Sequence, residues 1–298
     1  MARADSEKST SGIWETVKTV FWALVIAGAF RTILFQPFSI PSGSMKPELL
    51  IGDYLFVSKY AYGYSHYSLP FEPDWFDGRI WADWPERGDV IVFKHPMHDA
   101  CDRPVWQRVG GFFLSIVGQA PRGAGNDCID YVKRVVGLPG DEIQMTGGIL
   151  HINGEAVPTR RIEDFAEPNV ALGNPPRRPR CINRPLDPGE PCLKEQYVET
   201  LPGGYRHRIL NIEGEMGVAA APSRFNADNT PVFTVPEGQL FFLGDNRDNS
   251  YDSRFPNQLG MVPFENLIGR ADLIAFSSAG SLFEVWNWRF DRFFKSIE

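Results

Sequence analysis

Three stretches of this 298-residue chain carry side chains suited to covalent chemistry. The first is Phe38-Ser39-Ile40-Pro41-Ser42-Gly43-Ser44-Met45-Lys46-Pro47, in which two serines flank a glycine between two prolines. Proline fixes φ and glycine frees it, so the segment reads as a rigid turn presenting one hydroxyl and one backbone N–H to the same point. Alone, it also suits an ordinary turn. The second is Lys133, inside the apolar run Tyr131–Val136. An exposed lysine, with its ordinary pKa of about 10.4, is protonated at neutral pH and useless as a base. Burial disfavours the charge and lowers that value by up to about 3–5 units, so a desolvated Lys133 would take a proton from a serine. On an edge strand it would instead point to solvent. The third stretch, Gly244–Arg254, is dense in turn-forming and charged residues, and by itself suits a salt-bridged turn equally well.

Other chemistries lack their signatures. There is no GxSxG elbow, HExxH, S-x-x-K box or P-loop. The run Asp245–Asp252 fails as a calcium loop, because Arg247 takes a ligand position and no glycine stands sixth. No metal or cofactor is expected. His66, His95, His98, His151 and His207 are scattered and read as surface or turn residues. A net charge of −7 argues against a nucleic-acid partner, which needs a basic face. The local run Arg177, Arg178, Arg180 and Arg184 reads as a solvated loop, with acidic lipid as a second reading.

The elements that would position these residues are strands. Glycine (28) and proline (24) are plentiful, which points to many turns and a β-rich body. Strands are predicted at Tyr54–Val57, Asp89–Phe93, Tyr131–Val136, Ile149–Ile152, Gln239–Leu243 and Leu267–Phe276. Asn153-Gly154 is a two-residue hairpin signal, and a second hairpin is predicted around Pro202-Gly203-Gly204. A proline-rich stretch from Gly154 to Pro236 reads as an insertion or second β-subdomain. Another insertion, Pro96 to Asp127, holds an apolar patch at Val109–Val117, read as core or as a surface resting on lipid. The tail from Ser281 places Phe283, Trp286, Trp288, Phe290, Phe293 and Phe294 among charges; it suits a membrane interface or a helix packed on the body.

Near the N-terminus, Thr19–Phe30 is uncharged, and extension to Ile13–Phe35 gives a length that crosses a bilayer, with Glu15, Lys18 and Arg31 towards the ends. Three readings compete: an anchor, a cleaved export signal with Ala27-Gly28-Ala29 as cleavage site, and a buried helix. The first two put the body outside the cytoplasm. There, Cys101, Cys128, Cys181 and Cys192 would form two disulfides, of three connectivities the local pairs Cys101–Cys128 and Cys181–Cys192 being expected.

Taken together, the three stretches resemble the boxes of the bacterial type I signal peptidases, the leader peptidase family. The matching text is Ile40-Pro41-Ser42-Gly43-Ser44-Met45 with Leu49-Leu50-Ile51-Gly52-Asp53, then Arg87-Gly88-Asp89-Val90. It continues with Tyr131-Val132-Lys133-Arg134 and Gly137-Leu138-Pro139-Gly140-Asp141, and ends with Gly244–Ser250 and Asp252-Ser253-Arg254. The order also fits; the two insertions and the tail are not covered.

The resemblance implies a mostly β fold: a signal-peptidase-like antiparallel β catalytic core with an inserted β-rich subdomain, preceded by one N-terminal transmembrane helix. The expected layout is a cytoplasmic tail at 1–12, the anchor at 13–35, the core at 36–153 and 237–280 with an insertion at 97–127, the subdomain at 154–236, and the aromatic tail at 281–298. Ser44 matches the nucleophile of a Ser/Lys dyad and Lys133 its general base. Ser42, with the Ser44 N–H, matches the oxyanion hole, Ser250 the hydroxyl that orients the lysine, and Asp252 with Arg254 a supporting ion pair. Phe38, Ile40, Met45, Leu49, Tyr131 and Val132 match the lining of shallow apolar pockets that admit small residues at −1 and −3. The implied substrates are signal peptides of exported preproteins. The implied partners are membrane lipid and the export machinery, and the implied location is the bacterial inner membrane with the catalytic body outside. Family members keep their anchor, which favours that reading of Ile13–Phe35. Lys46 and Glu48 depart from the pattern and are expected to alter preference just beyond the scissile bond. A self-cleaving regulator of the LexA type would need a DNA-binding domain where the apolar segment stands. A non-catalytic tethered β-domain binding export partners would not need Ser44 or Lys133.

Overall fold

The computed structural model describes residues 4–69, 76–96, 130–172, 177–183, 187, 189–212, 227–280 and 284–297, with backbone only for 4–13. The expected Cys101–Cys128 pair and the Val109–Val117 patch lie outside the described residues.

The chain opens with helix α1 (Ala4–Ile33). Its stretch Trp14–Ile33 is long and apolar enough to cross a membrane, and none of it is buried against the body. That exposure removes the buried-helix reading, since Trp14, Phe21, Trp22, Leu24 and Ile26 would all face water. The helix stops before Phe35, which begins strand β1 (Phe35–Ser39) and pairs with Ser58 of β2 (Asp53–Ser58). Pro37 would break the helix in any case. Tyr64 Oη donates to Ile33 O at 2.6 Å, tying the helix end to the body.

The main sheet adds β3 (Val90–Lys94), β4 (Asp130–Gly137), β13 (Gln239–Leu243), β14 (Val262–Pro263), β15 (Leu267–Ser277) and β16 (Lys295–Ser296). Its order is β1-β2-β15-β3-β4-β13-β14, with β16 on β15, and every pairing is antiparallel. Register shifts within β13 and β15 bend the sheet. Alternation then divides the side chains. Val90, Val92 and Val132 join Ile40, Met45, Leu49, Leu55 and Val57 in one core. Ile91, Phe93, Tyr131 and Val135 join Leu240, Phe242 and Leu267 in another. Each fully buried aliphatic side chain here is worth about 1.5–3 kcal/mol.

Among the described residues, two smaller sheets complete the body. Strands β5 (Glu142–Thr146) and β6 (Ile149–Ile152) pair, and β7 (Glu155–Ala156) follows through the Asn153-Gly154 hairpin. Both turn residues hold positive φ, 55° and 81°, as a type I′ turn demands. The segment 154–236 does not stand apart: β7 and β12 (Phe233–Thr234) extend the β5–β6 pair at either edge. Within it, β8 (Thr159–Arg161), β9 (Phe165–Glu167) and β11 (Arg206–Asn211) all pair with the long β10 (Cys192–Thr200). Cys181 and Cys192 form a disulfide.

The tail forms single 3₁₀ turns and β16 rather than a helix. Trp288 and Phe293 pack on Phe276, with ring centroids 5.0 and 4.9 Å away, while Trp286, Phe290 and Phe294 stay exposed. Arg292 reaches back to Asp53 Oδ2 (2.6 Å) and Glu48 O (2.7 Å), bracing the loop that follows the Ser44 turn.

Candidate active site

The turn holding Ser44 lies between β1 and β2 and packs Ile40, Met45 and Leu49 into the core. Lys133 stands mid-strand in β4, opposite Ile91 of β3. Its flanks are strands, so its side chain is 3% exposed despite its charge. Lys133 Nζ donates to Ser44 Oγ at 2.7 Å and to Val132 O at 3.1 Å, and lies 5.6 Å from the Tyr131 ring centroid. Once the amine is neutral, the first bond reverses and the hydroxyl donates into the nitrogen lone pair.

The surroundings decide the charge. Burial pulls the Lys133 amine from 10.5 to about 8, against the opposite pull of Asp252 and Asp245. Both carboxylates are already matched. Arg254 grips Asp252 through Nε (2.8 Å) and Nη2 (2.9 Å), and Arg134 grips Asp245 through Nε (2.9 Å) and Nη2 (2.8 Å). Burial works against the Asp252 charge, but Arg254 outweighs it and holds the carboxyl below its usual range. Burial outweighs the pull that the two paired carboxylates still exert on the amine.

Asn246 fixes the serine turn to this cluster. Its side chain donates to Gly43 O at 2.8 Å and its backbone N–H to Ser44 O at 3.0 Å. Gly244 must be glycine: a Cβ there would lie 2.2 Å from Ser250 Oγ and 2.7 Å from Ser44 O. Sequence reasoning gave no role to Asn246, Arg134 or Asp245, although all three fall inside the matched boxes.

Several expectations need correction. Ser250 is buried at the site beside Asp252, whose carboxylate it supports, and the hydrogen bonds of the Lys133 amine do not include it. It is turned towards Gly244, and the lysine donates to Ser44 and Val132 instead. Leu49 is 0% exposed and Met45 nearly so; both are sealed within the core, out of reach of a substrate side chain. Phe38, Tyr131 and Val132 are only partly buried, and Ile40 lies at the edge of the core. Ser42 is exposed in the same turn as Ser44. Lys46 and Glu48 are both buried and paired within the fold: Lys46 against Glu167, and Glu48 with Arg208 at 3.4 Å. His207 is no surface residue either. It is buried on β11, with Nε2 3.2 Å from Glu199 Oε2.

The family model for signal peptidase, peptidase S26, matches residues 13–276. A signal peptidase I of Rickettsia typhi is 34% identical over 278 residues, covering 92% of this chain and 84% of that one. A signal peptidase I of Rickettsia canadensis is 36% identical over 279 residues, covering 93% and 83%. A solved signal peptidase I from Enterococcus faecalis overlaps with 63% of this chain and 97% of its own, at 21% identity and a TM-score of 0.25, too low to bear on the fold. With its apolar N-terminal helix and its match to those relatives over nine-tenths of its length, the chain belongs to the signal peptidase family, peptidase S26, as a membrane-anchored endopeptidase.

Proposed function

We propose that this protein removes N-terminal signal peptides from exported preproteins, with Ser44 as nucleophile and Lys133 as general base. The observation that carries the reading is the 2.7 Å contact between Ser44 Oγ and a buried lysine amine whose pKa falls to about 8. Neutral Lys133 takes the hydroxyl proton as Oγ attacks the scissile carbonyl. The Ser44 N–H and the Ser42 hydroxyl stabilise the oxyanion; loss of one such donor costs about 10²–10³ in rate. Protonated Lys133 then passes its proton to the leaving amine, and water, activated by the same amine, hydrolyses the acyl-enzyme. Phe38, Ile40, Tyr131 and Val132 bound the space before the scissile bond. A shallow apolar space admits small side chains at −1 and −3 and rejects large ones by volume.

The apolar helix and the Cys181–Cys192 disulfide support a body outside the cytoplasm, anchored in the bacterial inner membrane beside the export machinery. Ser44 falls nine residues past Phe35, which keeps the site near lipid, where signal peptides emerge. The test is cleavage of a preprotein by the full chain in detergent. Wild type is expected to cut once, after a small residue, and Ser44→Ala and Lys133→Ala are expected to lose cleavage. Processing by either variant at the wild-type rate rejects the dyad.

A further inference from the structure

Beside the nucleophile turn lies a buried charge cluster that the reaction does not use. Lys46, two residues after Ser44, folds across Gly43: a Cβ on that glycine would stand 3.2 Å from Lys46 Cε. Its ammonium ends on Glu167 Oε2 in β9, and Lys194 Nζ of β10 lies 2.7 Å from Glu167 Oε1. All three side chains are nearly inaccessible. Two ammonium groups therefore share one carboxylate in a region of low dielectric.

For folding alone this is a poor arrangement. A buried ion pair roughly breaks even against an apolar substitute, and a second cation on the same carboxylate adds repulsion and desolvation. Burial, reinforced by Lys46 and Arg180 and opposed by Glu167, pushes the Lys194 amine down. The Glu167–Lys194 pair would be complete without Lys46. What Lys46 alone supplies is a link between the serine turn and the β9–β10 pair.

We propose that Lys46 is a positioning residue, which ties the turn carrying Ser44 to Glu167 of the inserted segment and so sets the aim of Oγ at the scissile carbonyl. The proposal rests on the reading of Ser44 as nucleophile. It gives the 154–236 segment a task in the reaction: β9 acts as a stop against which the turn is held from one side, while Asn246 holds it from the other.

A matched pair of variants separates this from a structural role. Lys46→Met and Lys194→Met each remove one ammonium and leave Glu167 a single partner, so neither is expected to melt below wild type. With the full chain in detergent and a signal-peptide substrate, Lys46→Met is expected to lower kcat on the order of tenfold to a hundredfold with KM little changed, as misplacement by about 1 Å does. Lys194→Met is expected to keep kcat within about twofold of wild type. The proposal is overturned if Lys46→Met keeps its kcat, if both variants lose kcat equally, or if the loss follows a lowered melting temperature. Ser44→Ala in the same assay keeps the two claims apart: an inactive Ser44→Ala beside a fully active Lys46→Met rejects only the positioning role.

Discussion

With Lys133 as the proposed general base, its charge state should set both the rate and a part of the stability, each with a direction in pH that follows from its burial. With its amine at about 8 in the fold, about a tenth of the molecules carry neutral Lys133 at pH 7 and about a hundredth at pH 6. We expect kcat/KM to rise about tenfold per pH unit up to near 8 and then to level off. An internally quenched peptide with small residues at −1 and −3, cleaved by the full chain in detergent, reads this directly. The stability effect has the same origin. The folded value lies below the ordinary 10.5, so folding opposes the charged form. That penalty is complete below about pH 8 and disappears as pH rises through about 10.5. The gap between the two values corresponds to about 3 kcal/mol. Lys133→Met is therefore expected to be inactive yet more stable than wild type near pH 7, with a gain that shrinks towards pH 10 in urea titrations followed by circular dichroism. An activity limb near 10.5, a flat profile, or a stability gain that ignores pH would refute the reasoning.

Other expectations concern the buried ion pairs, the Gly244 turn and the disulfide. Arg134→Met leaves Asp245 buried without its cation, which should cost about 3–5 kcal/mol in thermal melts. Because Asp245 favours the charged lysine, the activity limb of this variant should also move to higher pH. Gly244→Ala drives a methyl group into Ser250 Oγ and Ser44 O; kcat should fall on the order of 10²-fold while the circular dichroism spectrum is retained. Replacing Cys181 and Cys192 by serine opens the loop between them and should lower stability by about 2–3 kcal/mol, measured by urea unfolding.

The apolar N-terminal segment, the strand runs and the Asn153-Gly154 turn were all legible in the chain, because each depends on residues close in sequence. So were the residue types at the site, since a serine before Met45 and a lysine inside Tyr131–Val136 are local patterns. Distances and burial were not. The 2.7 Å contact joins residues 89 apart, and the dryness of Lys133 comes from strands and loops that meet it only in three dimensions. The matching of Asp252 by Arg254 and of Asp245 by Arg134 is likewise tertiary, and it is why burial prevails over two nearby carboxylates. The resemblance put Leu49 in a pocket wall and Lys46 near the substrate, and local pattern put His207 at the surface; none of these readings could include burial, because a side chain's polarity says what it needs, whereas its surroundings are built by segments far away in the chain. Leu49 was sealed by the core, and Lys46 was taken up by Glu167 across 121 positions. Sequence alone determined which groups were available for chemistry; folding decided which of them are dry, paired and within reach, because solvation and Coulomb energies depend on position in space.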